Sequence, residues 1–336
     1  MIEPTILAIE SSCDETSAAV IRRGKVLSNI VATQAIHELY GGVVPELASR
    51  AHQQNIIPVV TQALLTANVA KSELNAVAFT RGPGLLGALL VGCSFAKSFA
   101  LGLGIPLLEV NHMQAHILAH FIDDPKPNFP FLCLTVSGGH TMIVLVRDYL
   151  DMEILGQTTD DAVGEAFDKI GKMLGLPYPG GPMLDKTASK GNPDAFQFPV
   201  GNMPGYSYSF SGIKTSVLYF LRDKTKEEAD FVQRNLADIC ASVQHTLIKT
   251  LLKKLVQASK DLGINEIAIA GGVSANSGLR RTLQEYAKKY NWNVYIPAFQ
   301  YCTDNAGMIA MAAHYKYIQG DFATQYTSPE PRLKIG

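Results

Sequence analysis

The chain has 336 residues, of which 47% are hydrophobic and 18% charged, with 29 basic residues against 30 acidic ones. At about 150 residues per domain, this length predicts two domains or lobes. The ordinary charge content and the aperiodic glycine and proline exclude collagen-like and disordered classes. A formal net charge of −1 lacks the positive excess of a dedicated nucleic-acid-binding protein. Binding of nucleic acid would therefore need a local basic patch or a partner.

The five cysteines are scattered and form no C-x-x-C pair, which predicts neither a disulfide framework nor a thiolate zinc cluster. The longest apolar run, residues 82–96, has 15 residues, fewer than the roughly 20 needed to span a bilayer. An acidic residue, Glu3, stands where a signal peptide carries basic ones. We therefore expect a cytoplasmic protein without a membrane partner.

The predicted elements begin with a β-hairpin at residues 6–21, two apolar strands around a small polar turn. A helical region follows at residues 45–65. Its small apolar residues predict a surface that binds a partner protein; they are Ala48, Ile56, Val60 and Ala63.

A strand, a glycine-rich loop and a helix follow at residues 76–92, with a short strand at 105–110. The same series returns later in the chain, as a hairpin at 131–146, a strand–glycine–helix unit at 266–283 and a strand at 293–297. We therefore predict an α/β fold of two duplicated lobes, residues 1–125 and 126–336. The second lobe carries a turn-rich insertion at about 150–223, where substrate specificity is expected.

Histidines recur every four residues at His112, His116 and His120, which places them on one stripe of a helix. The first two lie about 6 Å apart along the axis, close enough to share a metal ion, whereas His112 and His120 do not. The zinc-protease motif H-E-x-x-H needs a glutamate directly after the first histidine. Met113 occupies that position, so a metallopeptidase is disfavoured.

A third ligand is expected from elsewhere, and Asp304 is the preferred residue because it follows the strand that ends near Pro297. Asp304 also precedes an apolar helix at residues 306–317, where it would serve equally well as an N-cap. Cys302 is the softer alternative ligand.

Further polar residues fall in the second lobe. A helix predicted at residues 160–172 carries Asp168, which a following Pro-Gly-Gly-Pro turn would bring toward a cleft. Asn276, just after a Gly-Gly pair, is placed to contact the sugar or base of a nucleotide. Lys214 lies among aromatic and hydroxyl residues, where it would contact a base or simply pack.

Seven motifs in order carry a specific resemblance over more than nine-tenths of the chain. They are ESSCDET (10–16), GGVVPELASRAH (41–52), RGPGLLGALLVG (81–92), NHMQAH (111–116), VSGGHT (136–141), GGVSANSGLR (271–280) and CTDNAGM (302–308). They resemble the TsaD family, the bacterial tRNA adenosine threonylcarbamoyltransferases, whose fold is the actin/sugar-kinase/Hsp70 (ASKHA) type. The resemblance implies two actin-like lobes with the active site in the cleft between them.

The resemblance also implies a reaction. The threonylcarbamoyl group of threonylcarbamoyl-AMP passes to the exocyclic amine of the adenosine 3′ of the anticodon, in tRNAs reading codons that begin with adenine, with release of AMP. It implies one divalent ion per subunit, Fe²⁺ or Zn²⁺, on His112, His116 and Asp304. It implies two protein partners, a TsaB-like paralogue and a TsaE-like ATPase. The implied substrate contacts are Thr135, Val136, Ser137, Gly138, Gly139, Asp168, Gly181, Asp185 and Asn276.

Two points stay open. Asp14, in the first hairpin turn, is our candidate for the residue that takes the proton of the amine. Alternatives to the transferase are an ASKHA-type ATPase or kinase, which would form ADP without tRNA, and a nucleotide-binding subunit without catalysis of its own.

Overall fold

The computed structural model describes residues 4–335, except for the side chains at positions 35 and 38. Regular structure in this range is ten strands and nine α-helices, with short 3-10 turns between some of them. In chain order these are β1 (Thr5–Glu10), β2 (Thr16–Arg22), β3 (Lys25–Ala32), α1 (Pro45–Ala67), β4 (Ala76–Gly82), α2 (Leu86–Leu103), β5 (Leu107–Asn111), α3 (His112–Leu118), β6 (Phe131–Val136), β7 (Thr141–Asp148), β8 (Asp151–Gln157), α4 (Val163–Met173), α5 (Gly180–Ala188), α6 (Ser211–Glu227), α7 (Phe231–Leu262), β9 (Glu266–Ala270), α8 (Ser277–Tyr290), β10 (Asn293–Tyr295) and α9 (Ala306–Gln319).

The strands form two five-stranded sheets with the same connectivity. The first has the order β3-β2-β1-β4-β5, in which β2 runs antiparallel to both β1 and β3, and β4 runs parallel to both β1 and β5. The second has the order β8-β7-β6-β9-β10, in which β6 and β7 are antiparallel and β9 runs parallel to both β6 and β10. This repeated topology confirms the predicted duplication. A cleft between the lobes as the place of reaction stays a prediction.

The chain divides into two compact units. Unit 1 comprises Met1–Lys126, Arg147–Met152 and Pro297–Gly336, and unit 2 comprises Pro127–Val146 and Glu153–Ile296. The predicted second lobe ran to residue 336, so the structure moves the C-terminal forty residues to unit 1. The reason is packing: α9 lies against β1, β2 and β3 and buries every residue from Ala306 to Ala313.

The residues from which the partner surface was predicted are buried in unit 1. β1 is buried along its whole length, because apolar residues cover both of its faces. Ala48, Ile56, Val60 and Ala63 of α1 are at most 5% exposed, and the last three belong to the core of unit 1. The apolar residues that α1 leaves exposed are Ile57 and Leu65.

One helix in the described part of the chain, α2, is long and apolar enough to cross a membrane by length and composition alone. It packs against β4, β1 and α1, and its buried residues include Leu89, Cys93 and Ala96. We therefore assign α2 to the core of unit 1.

The core of unit 2 is built on β6 and the 32-residue helix α7. Leu247, Leu251 and Leu255 recur at helical spacing on α7 and are fully buried. Differences from prediction lie at the ends of elements. α4 begins at Val163 rather than residue 160, and α5 begins at Gly180, inside the segment predicted as a turn.

Candidate functional site

His112 and His116 lie on α3, which begins directly where β5 ends. The side-chain oxygen of Asn111 accepts hydrogen bonds from the backbone N–H groups of Met113 (2.9 Å) and Gln114 (3.2 Å), so Asn111 is the N-cap of this helix. The two imidazole rings lie one turn apart, with centroids 4.7 Å from each other and planes at 86°. Both side chains are buried.

Asp304 completes the group, and Asn305 rather than Asp304 caps the helix that follows. The side-chain oxygen of Asn305 accepts from the backbone N–H of Met308 at 3.0 Å. The Asp304 carboxylate is therefore available to the histidines: its Oδ1 lies 3.4 Å from Nε2 of His112 and 3.2 Å from Nε2 of His116. One possible ligand atom from each of the three residues lies within 4.8 Å of the others.

These donors fit a divalent transition metal. Two imidazole nitrogens converge on the same carboxylate oxygen, and two histidines with one carboxylate suit iron or zinc. Burial opposes ionisation of Asp304, but the neighbouring His112 and the hydrogen bonds of both imidazoles outweigh it and hold the pKa of Asp304 below its usual range. The carboxylate is thus in the charged form that a metal requires.

A second group orients the first ligand. The carboxylate of Glu10, fully buried at the end of β1, places Oε2 at 3.2 Å from Nδ1 of His112 and accepts hydrogen bonds from Thr80 Oγ1 (2.6 Å) and the backbone N–H of Ser12. Because a carboxylate only accepts, Nδ1 carries a proton, and loss of the proton on Nε2 would free that nitrogen for a metal. Glu10 was not predicted as a site residue from the sequence, where its signal is an acidic residue at the end of an apolar strand.

The two histidines differ at Nδ1, which in His112 is hydrogen-bonded to Glu10. Nδ1 of His116 is buried and has no hydrogen-bond partner among the described residues. Burial lowers the pKa of His116 despite the hydrogen bond to Asp304. A neutral imidazole is the form that binds metal.

His120 and Cys302 lie outside the three-residue group found in the described part of the chain. His120 is buried in a 3-10 turn, Ala119–Phe121, beyond the end of α3. The Cys302 thiol lies 3.7 Å from the carbonyl oxygen of Pro297 and 3.5 Å from that of Ala298. Of the two ligands weighed for the third position, Asp304 is therefore the one that the geometry supports.

Two more carboxyl groups lie in the turn between β1 and β2. Asp14 and Glu15 are both half-buried and hydrogen-bonded to each other. Burial and the nearby carboxylates of Asp304 and Asp14 raise the pKa of Glu15 to about 9. Glu15 therefore keeps its proton at neutral pH beside the candidate base, Asp14. Sequence reasoning missed Glu15, because its pKa depends on residues that are distant in the chain.

In unit 2, the turn between β6 and β7 exposes backbone at Ser137, Gly138 and Gly139. Thr135 and Val136, predicted with them, are fully buried in β6. The backbone N–H of Ser137 donates to the carbonyl of His140 at 2.8 Å, which closes the turn. A Cβ added at Gly138 or Gly139 would meet no protein atom within 4 Å, so these glycines border open space.

Two other segments press on the back of this turn. A Cβ at Gly164, near the start of α4, would lie 2.5 Å from the carbonyl oxygen of Ser137. A Cβ at Gly271, where φ is +85°, would lie 2.4 Å from the carbonyl oxygen of Val136. Glycine at positions 164 and 271 allows both approaches, so α4 and the loop after β9 each contact this turn within unit 2.

Asp168 and Gly181 are in direct contact. Asp168 Oδ1 accepts a hydrogen bond from the backbone N–H of Gly181 at 2.8 Å, at the start of α5. Burial raises the pKa of Asp168, although this hydrogen bond and a second one from the backbone N–H of Gly180 act to lower it. A Cβ at Gly180 would lie 3.0 Å from the backbone of Asp168, which favours glycine at this position.

Asp185 and Asn276 are joined through a residue that the sequence did not indicate, Gln244 on α7. Its amide donates to Asp185 at 3.0 Å and accepts from Asn276 at 3.4 Å. Asp185 also accepts from the backbone N–H of Ser277 at 2.9 Å, and Asn276 caps α8 by accepting from Leu279. Their contact with a substrate stays a prediction.

Lys214, left open above, forms an ion pair with Asp161. Lys169 reaches the same carboxylate at 2.9 Å. The hydrogen bond from Lys214, together with Lys169, outweighs partial burial and lowers the pKa of Asp161.

The chain is similar in sequence and in fold to known proteins. A family model described as tRNA N6-adenosine threonylcarbamoyltransferase (TsaD) matches residues 25–311. Curated relatives named tRNA N6-adenosine threonylcarbamoyltransferase include those of Cytophaga hutchinsonii (66% identical, 99% of this chain and 97% of the relative), Porphyromonas gingivalis (60%, 98% and 98%) and Clostridium botulinum (50%, 98% and 98%).

Two solved structures share the fold at low identity. Full-length HypF in its phosphate- and nucleotide-bound form matches with a TM-score of 0.62 at 14% identity, over 94% of this chain and 47% of HypF. Component A of the (R)-2-hydroxyglutaryl-CoA dehydratase of Acidaminococcus fermentans matches with a TM-score of 0.53 at 13% identity, over 95% and 100%. At these identities the likeness concerns the fold alone. The family model and the curated relatives show that the chain belongs to the TsaD family of tRNA N6-adenosine threonylcarbamoyltransferases.

Proposed function

We propose that this chain transfers the threonylcarbamoyl group of threonylcarbamoyl-AMP to the exocyclic amine of the adenosine 3′ of the anticodon, in tRNAs reading codons that begin with adenine. The bond between the carbamoyl carbon and the phosphate oxygen of the donor breaks, and a bond from that carbon to the amine nitrogen forms. AMP leaves, and the amine loses one proton. The observation that carries the proposal is the group formed by two buried histidines, His112 and His116, and the partly exposed Asp304 in a chain of this family.

His112, His116 and Asp304 would hold one divalent ion, Fe²⁺ or Zn²⁺. Such an ion, when bound, acts as a Lewis acid toward the oxygens of an acyl donor and orients it. Glu10 keeps the proton of His112 on Nδ1, and with it the orientation of the ring. Thr80 and Ser12 hold the Glu10 carboxylate in place by hydrogen bonds.

The residues of unit 2 would bind the donor. Gly138 and Gly139 border open space, and their backbone N–H groups would suit the phosphate of AMP, both in the donor and as the leaving group. The backbone N–H of Ser137 closes the turn by donating to the carbonyl of His140, so Ser137 would contribute through the shape of the turn. Asp168 and Gly181 define the start of α5, and Asp185 and Asn276 would add contacts through carboxylate and amide groups.

Asp14 would take the proton that the amine loses. Its neighbour Glu15 holds a proton at neutral pH, because burial and the adjacent carboxylates raise the pKa of Glu15 to about 9. Of this hydrogen-bonded pair, Asp14 is thus the group available as an acceptor.

A TsaB-like paralogue and a TsaE-like ATPase would act with this chain in the cytoplasm. The exposed apolar residues of unit 1 support a protein partner on the surface of α1 and α2: Ile57 (63% exposed), Leu65 (69%) and Leu101 (70%). They replace the buried residues that the sequence had suggested.

Reconstitution tests the reaction. Purified chain, both partners, unmodified tRNA and threonylcarbamoyl-AMP should yield modified adenosine and AMP in equal amounts. A His112→Ala/His116→Ala variant should lose the product and the bound metal, whereas His120→Gln, a buried histidine outside the group, should keep both. Absence of product with wild type, or undiminished product with the double variant, would refute the proposal. Formation of ADP from ATP with a small acceptor and no tRNA would favour the kinase alternative.

A further inference from the structure

Residues 321–335, the C-terminal strap, follow α9 without helix and lie along unit 1. The strap starts by pairing with a strand edge: the backbone N–H of Ala323 donates to the carbonyl of Leu107 in β5 at 2.8 Å. Farther on, the carbonyl of Thr327 lies 4.0 Å from the thiol of Cys93 on α2. These contacts lead the strap toward the carboxyl ends of β4 and β5.

Arg81 ties the middle of the strap to both strands. Its guanidinium forms ion pairs with Glu109 of β5 (3.0 Å) and with Glu330 of the strap (3.1 Å), and donates to the carbonyl of Ser328 (3.3 Å). The backbones are joined as well: the N–H of Glu330 donates to the carbonyl of Arg81 at 2.8 Å, and the N–H of Gly84 donates to that of Pro331 at 3.2 Å.

Gly82 and Gly84, in the R-G-P-G segment at residues 81–84, each lie too close to a neighbouring backbone to carry a side chain. A Cβ at Gly82 would lie 1.9 Å from the carbonyl oxygen of Glu330, in the strap. A Cβ at Gly84 would lie 2.5 Å from the carbonyl oxygen of Ser12. The segment is therefore held between the strap and the turn whose Ser12 N–H binds the carboxylate of Glu10.

The end of the strap reaches the start of α3. The side-chain N–H of Asn111 donates to the carbonyl of Lys334 at 2.9 Å, while its oxygen caps α3. Asn111 is 8% exposed, so both ends of its amide are committed to protein groups. The next residue in the chain is His112.

We propose that the C-terminal strap is a positioning element of the metal centre. It holds the start of α3 through Asn111, and the Ser12 turn behind Glu10 through Gly82 and Gly84. In this way both supports of the His112 ring depend on a segment that the family motifs do not include. The proposal rests on the metal centre of the proposed function, since it concerns how the chain arranges those ligands.

Two variants remove the contact at the end of the strap. A chain ending at Leu333 lacks the Lys334 carbonyl, and Asn111→Ser keeps a helix cap but lacks the amide N–H. A chain ending at Ile335 is the matched control, since it loses only Gly336. We expect the affinity for Co²⁺, titrated by its visible absorption, to fall roughly tenfold in either variant. The combined variant should fall no further than each alone, and the control should bind as wild type does.

The outcomes separate the strap from the centre. Wild-type Co²⁺ affinity in both variants overturns the proposal. The proposal is also overturned if the losses of Co²⁺ affinity add up in the combined variant and the melting temperature falls in parallel, because this would indicate general destabilisation. If the shortened chain does not fold by circular dichroism, Asn111→Ser alone decides. A folded wild type that binds no Co²⁺, Zn²⁺ or Fe²⁺ overturns the metal centre itself, and the role of the strap with it.

Discussion

Replacement of Glu10 by glutamine tests whether the buried carboxylate supports the metal centre. Glutamine has nearly the same shape, and its one amide oxygen can still accept the hydrogen bond from the backbone N–H of Ser12. The amide nitrogen then faces Thr80 and His112 Nδ1, and the negative charge 3.2 Å from that nitrogen is lost. We expect the folded structure to persist and the affinity for Zn²⁺ to fall, because a neutral amide makes His112 a weaker ligand.

The size of the loss follows from two opposing terms. A unit charge 3.2 Å from another contributes about 5 kcal/mol at an effective dielectric constant of 20, which sets an upper limit. Removing the charge also removes the cost of keeping a carboxylate fully buried. Losses of 10- to 100-fold in affinity, or about 1.4–2.7 kcal/mol, are typical for such supporting groups, and we expect a value in that range.

The variant should also change how zinc binding depends on pH. Burial lowers the pKa of His112, but the carboxylates of Asp304 and Glu10 outweigh it and raise the pKa well above its ordinary value. In the wild type, protons therefore compete with the metal for this ring up to a higher pH than in Glu10→Gln. The variant should bind more weakly at pH 8, with a difference that narrows as the pH falls.

Calorimetric titration of metal-free protein with Zn²⁺ at pH 6, 7 and 8 measures both effects. Glu73→Gln is the matched control, since Glu73 pairs with Arg22 on the surface, away from the centre. Unchanged affinity at pH 8, or an unchanged pH dependence, would show that Glu10 does not act through His112.

Three further predictions concern other parts of the chain. Gly164→Ala should weaken AMP binding and lower the melting temperature, because the added Cβ would lie 2.5 Å from the carbonyl oxygen of Ser137. Gly138→Ala places its Cβ in open space and should weaken AMP binding without lowering the melting temperature. Equal melting temperatures of the two variants in calorimetry would contradict this. The folded pKa of Glu15, about 9, exceeds its unfolded value of about 4.3, so this group stabilises the chain fully only below about pH 4.3 and the contribution is lost as pH rises to 9. The melting temperature of metal-free Glu15→Gln should therefore exceed that of wild type at pH 8 and match it near pH 4. Leu65→Asp or Leu101→Asp should abolish binding of the TsaB-like partner in gel filtration without loss of stability, since both side chains are about 70% exposed; an intact complex would place the partner elsewhere.

The grouping of His112, His116 and Asp304 was predictable because their spacing is local or lies next to a strand end. His112 and His116 are one helical turn apart, and Asp304 follows a strand of the repeated unit. What the sequence left open was whether Asp304 caps α9. That choice depends on the backbone at Asn305, whose side chain takes the cap in the folded chain.

The features that were missed depend on contacts between distant segments. Glu10 is 102 residues from His112, and nothing near it in sequence shows that its charge is paired. The residues chosen for the partner surface are buried for a related reason. An apolar face on a helix packs first against the core of its own chain, and α1 does so with Ile56 and Val60. The C-terminal strap has little regular structure, so no periodicity marked it.

A chain with a net charge of −1 can still attract a polyanionic substrate if its lysines are close together in the folded structure. The lysine-rich end of α7 and the Lys288–Lys289 pair of α8 are far apart in sequence, yet Lys260 and Lys289 each place their ammonium group 5.4 Å from the centre of the Tyr290 ring. Ammonium groups held over an aromatic ring need less ordering when they meet a phosphate. A small patch of this kind on unit 2 gives local attraction without net charge, and a shallow dependence of tRNA affinity on salt is expected for the isolated chain.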